Sequence, residues 1–599
     1  MRLIGRFFLW LFAVAGFLVV VIAAAVTTWF MLTSESEEPL PDKIVLSVDL
    51  NRGVSETRSE GPLQLLSRGG PHALRDLIAA FTKAETDRRV AGVLVRMGSS
   101  GVDIATAQEL RAAVSRLRKA GKFAIAYADS FSAEPGATAE YYLASDFNQI
   151  WMQPSGELST TGVAIEVPFV AGALEKIGVV ARMQQRKEYK SSPETFTHKS
   201  MTAPVRANLQ ALVDSWLTQF VQGIAEGRKI SPDEARADID QSPLLAAEAK
   251  KRKLVDVLDY WPAAREAAEK RAGAGAGLVT LKRYLADGNL PYSSGPTVAL
   301  VYGIGPIVSG GGEESVLDSS RVFAAHEVAR AISEAAADPD VHAILLRIDS
   351  PGGSYLAADT VWDAVMRARA AGMPVIASMG GIAASGGYFV AMGADRIVAS
   401  PGTLTGSIGV YGGKFVTAGL WPKLGVNWDI VQAGKNAAIW SPFRDYSPDT
   451  TARLSTMMDA VYADFTSKLA KGRNIKAPQI DQVAGGRVWS GEAASKVGLV
   501  DQLGGLKTAI DVAKQAAGIK PEESITLKEF PLPKTPLERL FALMSDDGSS
   551  ITARVLDWLG LRTQLSAMIE ARVGPVLKEL AFLRPRAGDL QMPPLKLRY

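Results

Sequence analysis

Short apolar runs alternate with amphipathic stretches along most of this chain. In its second half, Thr297–Tyr302, Ala343–Ile348 and Pro374–Met379 are dense in Val, Ile, Leu and Ala, as buried strands are. Between them, Tyr355–Ala371 spaces its apolar residues as one face of a helix, and a further helix is expected from Ser385 to Met392. This alternation predicts βα units on a mostly parallel sheet, hence an α/β fold. Two stretches depart from it. Phe7–Leu32 carries no charge over 26 residues, where a membrane-spanning helix needs about 20 and a signal-peptide core about 7–15. Leu537–Leu583 reads as Leu-rich amphipathic helices leading to a basic end with Arg584, Arg586, Lys596 and Arg598. Such helices suit packing on the body or a neighbouring subunit as well as a membrane surface.

The pattern occurs twice. Val93-Leu-Val-Arg96 matches Ile344-Leu-Leu-Arg347, and Tyr141-Tyr-Leu-Ala matches Tyr388-Phe-Val-Ala. Pro154 matches Pro401, and Leu254-Val-Asp256 matches Leu499-Val-Asp501. The offset drifts only from 251 residues (Ile344 against Val93) to 244 (Glu492 against Glu248), so one whole domain is duplicated. The expected organisation is an anchor and linker at 1–42, a first copy at 43–290, a second at 291–530 and a helical extension at 531–599. Ala272–Gly277 and Asp287–Pro296 are expected to be a loose connection between the copies.

Charge and composition narrow the function. A formal charge of +3 on 599 residues gives no basic signature for nucleic acid. The absence of cysteine excludes disulfides and thiolate metal sites. His72, His198, His326 and His342 show no metal-site spacing, so no metal or other cofactor is expected. Gly310–Gly312 lacks a following Lys-Ser/Thr and reads as a mobile loop rather than a phosphate loop. Arg2 and Arg6 precede the apolar run and Glu35, Glu37 and Glu38 follow it, which predicts a cytoplasmic N-terminus and a body across the membrane.

Candidate chemistry gathers at Ser385. The strand ending at Met379 should turn at Gly380-Gly381 and place Ser385 at the start of a helix, where unpaired N–H groups favour developing negative charge. Helix capping is the ordinary role of a Ser there, and this segment alone does not separate capping from nucleophilic attack. A second loop, Asp349-Ser-Pro-Gly352-Gly353, follows a buried strand and should form a tight turn at its carboxyl end, where open α/β sheets place ligands. The amides of Gly353 and Gly386 are thus candidates to hold a carbonyl oxygen as it becomes tetrahedral.

Ser350-Pro-Gly-Gly353, Ala383-Ala-Ser-Gly-Gly-Tyr388 and Thr403-Leu-Thr-Gly-Ser407-Ile-Gly, in this order, resemble peptidase family S49 in its long, two-copy form. The resemblance covers roughly Lys43 to Gly505. It implies two tandem Clp/crotonase-like domains, a Ser nucleophile from the second copy and a Lys general base from the first. Lys190, in Glu188-Tyr-Lys-Ser-Ser-Pro193, matches the base, and Ser407 would orient its amine. The nucleophile position of the first copy holds Thr138, and no Lys stands at the equivalent of Lys190 among Ala437, Ala438 and Ile439. Lys435 is the second candidate base, but Ser441-Pro442 lies six residues beyond it, whereas Ser192-Pro193 lies two beyond Lys190. Lys187 is expected to be a solvated charge. The resemblance further implies a homotetramer on the periplasmic side of a bacterial inner membrane, anchored through residues 7–32, acting on signal-peptide remnants and other apolar peptides. Two other readings fit the fold class: a crotonase-like acyl-CoA enzyme, and a non-catalytic peptide-binding scaffold.

Overall fold

The structure, a computed structural model, describes residues 39–58, 70–132, 136–288, 290–310, 322–531, 589–591 and 596–598. The expected span at 7–32, the helices at 537–583 and Gly311-Gly312 of the expected loop lie outside these residues. Among the described residues no helix is long and apolar enough to cross a membrane.

Each half of the chain builds a parallel sheet. In the first, the order is Val257–Leu258, Gln149–Met152, Phe123–Ala128, Val90–Met97, Lys43–Asp49, Ala276–Thr280. In the second, Gln502–Leu503, Arg396–Ala399, Val375–Ala384, Val341–Ser350, Thr297–Ile304 and Thr526–Phe530 follow the same order. The near-continuous apolar strands are covered on both faces, as parallel sheets require: the successive residues Val93 and Leu94, and Ile344 and Leu345, point to opposite faces and are all fully buried.

The duplication reaches the individual hydrogen bonds. Tyr141 donates its hydroxyl to the Leu254 carbonyl at 2.8 Å, and Tyr388 donates to the Leu499 carbonyl at 3.0 Å. The Asp256 carboxylate accepts from the Ile150 amide and the Asp501 carboxylate from the Ile397 amide, each at 2.7 Å. Arg228 and Arg473 pair with those two carboxylates at 2.7 Å.

Three local expectations are corrected. Ala272–Gly277 is not a loose linker, because Ala276–Thr280 adds an edge strand against Lys43–Asp49. Its counterpart beyond Gly505 is Thr526–Phe530, which closes the second sheet beside Thr297–Ile304. Gly380 and Gly381 do not turn the chain. The strand runs on to Ala384: on one side it exchanges Arg396–Ala399 for Leu404–Gly406, and on the other it keeps Val341–Ser350 through a register shift between Met379 and Ala383. Gly352-Gly353 is likewise a short strand, Gly352–Ser354, that carries the chain from the main sheet into another.

The two copies are joined through buried polar contacts. Arg347, 1% exposed, forms ion pairs with Glu56 at 2.7 Å and Glu109 at 2.8 Å, both from the first copy. Burial alone would lower the pKa of this guanidinium, but the two carboxylates outweigh it and hold it charged. Asn208 mimics a strand by exchanging two 2.9 Å hydrogen bonds with the Val488 backbone. The Trp216 indole N–H donates to the Gly402 carbonyl at 2.9 Å.

Candidate active site

A third sheet crosses between the copies and delivers the two candidate catalytic groups to one place. Its strand Val180–Arg186, from the first copy, pairs antiparallel with Val410–Val416 of the second, with Arg186 opposite Val410. Four residues after that strand, Lys190 reaches the turn at the end of Val375–Ala384. Its Nζ lies 2.7 Å from Ser385 Oγ, 3.0 Å from Ser407 Oγ and 3.0 Å from the Ser407 carbonyl oxygen. Lys190 and Ser385 are wholly buried and Ser407 is 1% exposed.

These contacts suit a neutral amine. Its two N–H groups can donate to the two Ser407 oxygens, which leaves the lone pair facing the Ser385 hydroxyl. Burial pushes the Lys190 ammonium down from 10.5 to about 7, with no carboxylate opposing the shift. Without a counterion the cation has only the hydroxyls and one carbonyl to replace its hydration, so the neutral form is available near neutrality.

Ser385 is not a helix cap. It occupies the N-cap position of the helix Gly386–Ala391, yet its side chain makes no cap hydrogen bond. Its backbone stands at φ +57°, ψ −113°, a conformation that costs a non-glycine residue about 1–3 kcal/mol. The Ser385 amide donates to the Gly406 carbonyl at 2.8 Å, which holds the strained turn against the loop that carries Ser407. The hydroxyl is therefore aimed at Lys190 rather than at the helix.

The candidate oxyanion amides lie close together. A Cβ built on Gly386 would fall 3.1 Å from the Gly353 nitrogen, and one on Gly353 would fall 2.2 Å from the Ile307 carbonyl oxygen. Gly353 has no room for a side chain and Gly386 only a tight fit, and without side chains both backbones can approach a substrate carbonyl. Next to them, Asp349 accepts from the Ile382 amide at 3.0 Å and ties the strand leading to Gly353 to the strand leading to Ser385. Burial, with Glu56 and Asp103 nearby, pushes its carboxyl up to about 7.

The first copy holds no such dyad. Thr138 Oγ1 donates to the Gly162 carbonyl at 3.2 Å. The turn amides of Gly98 and Gly101 donate to the fully buried Glu140 carboxylate at 2.6 and 2.7 Å. Glu140 stands where the second copy has Gly387, at the 247-residue offset of Tyr141 and Tyr388. A side chain thus occupies the anion-binding side of the first copy's turn.

Lys435 lies elsewhere: it is exposed and paired with Asp449. Lys187 is also exposed, 3.7 Å from Asp481. Among the described residues no group of three or more His, Cys, Asp or Glu is arranged to hold a metal ion. Sequence reasoning missed Gly486. A Cβ there would lie 2.3 Å from the Lys190 backbone nitrogen, and its φ of +87° suits glycine. Its amide donates to the Ile408 carbonyl at 2.8 Å, while the Gly485 carbonyl accepts from Tyr189 at 3.1 Å. The pair Gly485-Gly486 was a visible signal, but nothing in the sequence joined it to Lys190.

Comparison with known proteins finds relatives of the chain. Residues 116–275 and 367–520 match the description of peptidase family S49. A serine protease named SPPA from the chloroplast of Arabidopsis thaliana is 29% identical over 84% of this chain and 74% of its own length. Protease 4 of Salmonella typhi is 32% identical over 75% of this chain and 73% of its own. The solved structure of a membrane-bound stomatin-specific protease aligns with 40% of this chain and 100% of its own, at 17% identity and TM-score 0.25, too slight a likeness to carry an argument.

Proposed function

Because the chain belongs to peptidase family S49, in its two-copy form, and is a serine endopeptidase, we propose that Ser385 is its nucleophile and Lys190 its general base. The observation that carries this reading is the 2.7 Å contact between Lys190 Nζ and Ser385 Oγ in a fully buried setting. The neutral amine takes the hydroxyl proton as Oγ attacks the peptide carbonyl, and the carbonyl oxygen becomes an anion facing the Gly353 and Gly386 amides. The ammonium so formed gives its proton to the departing amine, which leaves an acyl group on Ser385. Water then attacks that ester, Lys190 accepts its proton, and the ammonium returns that proton to Ser385 Oγ as the Oγ–acyl bond breaks and the carboxylic product leaves. Ser407 directs the lone pair of the neutral amine toward Ser385, so it is a positioning residue.

The reading extends to setting and substrate. Residues 7–32 anchor the chain in the inner membrane of a bacterium, with the body on the periplasmic side as a homotetramer. There it degrades apolar peptides, signal-peptide remnants among them. A serine-reactive fluorophosphonate probe tests the chemistry. It should label wild-type protein at Ser385, while Ser385→Ala should lose both label and peptide hydrolysis. Equal labelling of the Ala variant overturns the assignment. An acyl-CoA enzyme of similar fold has no use for a buried Lys-Ser pair, and the same labelling distinguishes it.

A further inference from the structure

The third sheet contains a strand from the far end of the chain. Asp589–Gln591 lies between Gly352–Ser354 and Val410–Val416 in the order of strands. It runs antiparallel to both, with Gly352 opposite Gln591, Gly353 opposite Leu590, and both Ser354 and Tyr411 opposite Asp589. Neighbouring strands sit about 4.8 Å apart, so its two flanks bound a slot about 10 Å across, one strand wide.

That slot borders the chemistry. Gly353, on one wall, is the residue whose nitrogen a Gly386 Cβ would approach to 3.1 Å, and Ser385 directly precedes Gly386. A peptide entering as an extended strand would use the open backbone groups of both walls, a recognition that needs no particular sequence. With residues 589–591 in that place, Ser385 is wholly buried.

A second contact repeats the first on the other copy. Lys596–Arg598 pairs antiparallel with Ala164–Glu166, with Leu597 opposite Ile165. At the 247-residue offset of the duplication, Ala164 corresponds to Tyr411. The end of the chain therefore lies along the same strand edge in both copies, within a span of ten residues.

We propose that residues 589–591 occupy the strand position that a peptide substrate takes, so that the chain's own C-terminal segment competes with substrate, with 596–598 as a second anchor on the first copy. The substrate half of this proposal rests on the endopeptidase reading above. The occupancy half is a matter of backbone pairing and does not. Being tethered, the segment competes at an effective concentration fixed by the chain and independent of protein concentration.

The test uses full-length protein carrying Asp589→Pro/Leu590→Pro. Successive residues of a strand bond to opposite neighbours, so this double change removes a bond from each wall. Amide hydrogen exchange at 352–354 and 410–412 should accelerate. KM for an extended apolar peptide should fall by ~3-fold or more with kcat unchanged, as expected when a tethered competitor is lost. Lys596→Pro/Leu597→Pro should shift KM the same way by a smaller factor. Unchanged exchange, or faster exchange with unchanged KM, overturns the proposal. The same proline pair in a Ser385→Ala background, titrated with a fluorescent peptide, separates the two readings. If no form hydrolyses peptide yet the proline pair tightens peptide binding, the endopeptidase reading has failed and the competition stands. If peptide is hydrolysed and binding does not tighten, the competition has failed.

Discussion

Replacing Lys190 by Met should abolish hydrolysis and, below a certain pH, make the protein more stable. The depression of the ammonium from 10.5 to about 7 corresponds to about 5 kcal/mol at 1.36 kcal/mol per unit. The sign follows from proton counting. Between pH 7 and 10.5 the unfolded chain holds a proton at residue 190 that the folded chain has released, so stability rises with pH by up to about 1.4 kcal/mol per unit. Below pH 7 both states are protonated and the full penalty of about 5 kcal/mol stands against the fold. Above 10.5 both are neutral and the penalty vanishes. Met removes the penalty at every pH but takes a hydrogen-bond partner from Ser385 and Ser407, a loss of about 1–3 kcal/mol for buried groups. The variant should therefore gain about 2–4 kcal/mol below pH 7 and lose about 1–3 above 10.5, with the sign changing between roughly pH 8 and 10.

Thermal melts of the two proteins across pH 6–10.5 measure this difference, and groups that titrate alike in both cancel. The wild-type enzyme supplies an independent readout: kcat/KM should rise with pH through an inflection near 7, since only the neutral amine can accept the Ser385 proton. A stability difference that stays flat with pH, together with a rate inflection near 10, would refute the argument that Lys190 is desolvated and uncharged.

Other expectations follow from single contacts. Gly486→Ala should lower kcat/KM by about 10²-fold, because its Cβ would fall 2.3 Å from the Lys190 backbone nitrogen and must shift the segment that carries the candidate base; rates within a few-fold of wild type would show that the approach does not matter. Lys435→Ala should keep nearly full activity, since Lys435 lies exposed on Asp449, and a dead variant would move the base to that residue. Ser385→Ala and Lys190→Ala chains assembled together should stay inactive, because Lys190 and Ser385 meet within one chain; recovered hydrolysis would place the dyad across subunits. Glu140→Gln should lower the melting temperature, with a loss of about 1–3 kcal/mol, because an amide cannot accept from both Gly98 and Gly101 without turning its NH2 toward one of them. An unchanged melt would show that the carboxylate is not needed there.

Much of this architecture was legible because it rests on periodicity and repetition. The strands at Thr297, Ala343 and Pro374 and the helix at Tyr355 are strong local patterns, and Tyr141, Tyr388, Asp256 and Asp501 make matching hydrogen bonds in the two copies. The candidate dyad was legible through resemblance and offset, because a base missing at Ala437–Ile439 has its counterpart at Lys190. The errors arose where glycine was read as a turn. At Gly380-Gly381 the lack of a side chain serves close approach instead: a Cβ would meet the Asp349 carboxylate at 3.0 Å or that of Asp103 at 3.1–3.2 Å. Contacts between distant segments, such as Gly486 against Lys190 or Arg347 against Glu109, leave no local pattern. An Arg inside an apolar strand announces that it needs a partner but does not say which one.

The arrangement gives the first copy a role although Thr138 stands where the second copy has Ser385. A wholly buried lysine with no counterion works against folding by about 5 kcal/mol below pH 7, so the groove around it must be held by contacts that do not depend on it. The first copy supplies them. Its helix Ile104–Lys119 is capped by Asp103 and carries Glu109 to Arg347, on the strand that leads to the candidate oxyanion loop. A Cβ on Gly381, in the strand leading to Ser385, would meet the Asp103 carboxylate. The turn just before Asp103 is fixed by Glu140, whose carboxylate binds the Gly98 and Gly101 amides. The second copy has Gly387 at that place, where a Cβ would come within 2.7 Å of the Ser350 carbonyl. One turn is thus filled by the chain's own carboxyl side chain while the other keeps its glycine. The strand Val180–Arg186, four residues before Lys190, carries the candidate base across to the second copy.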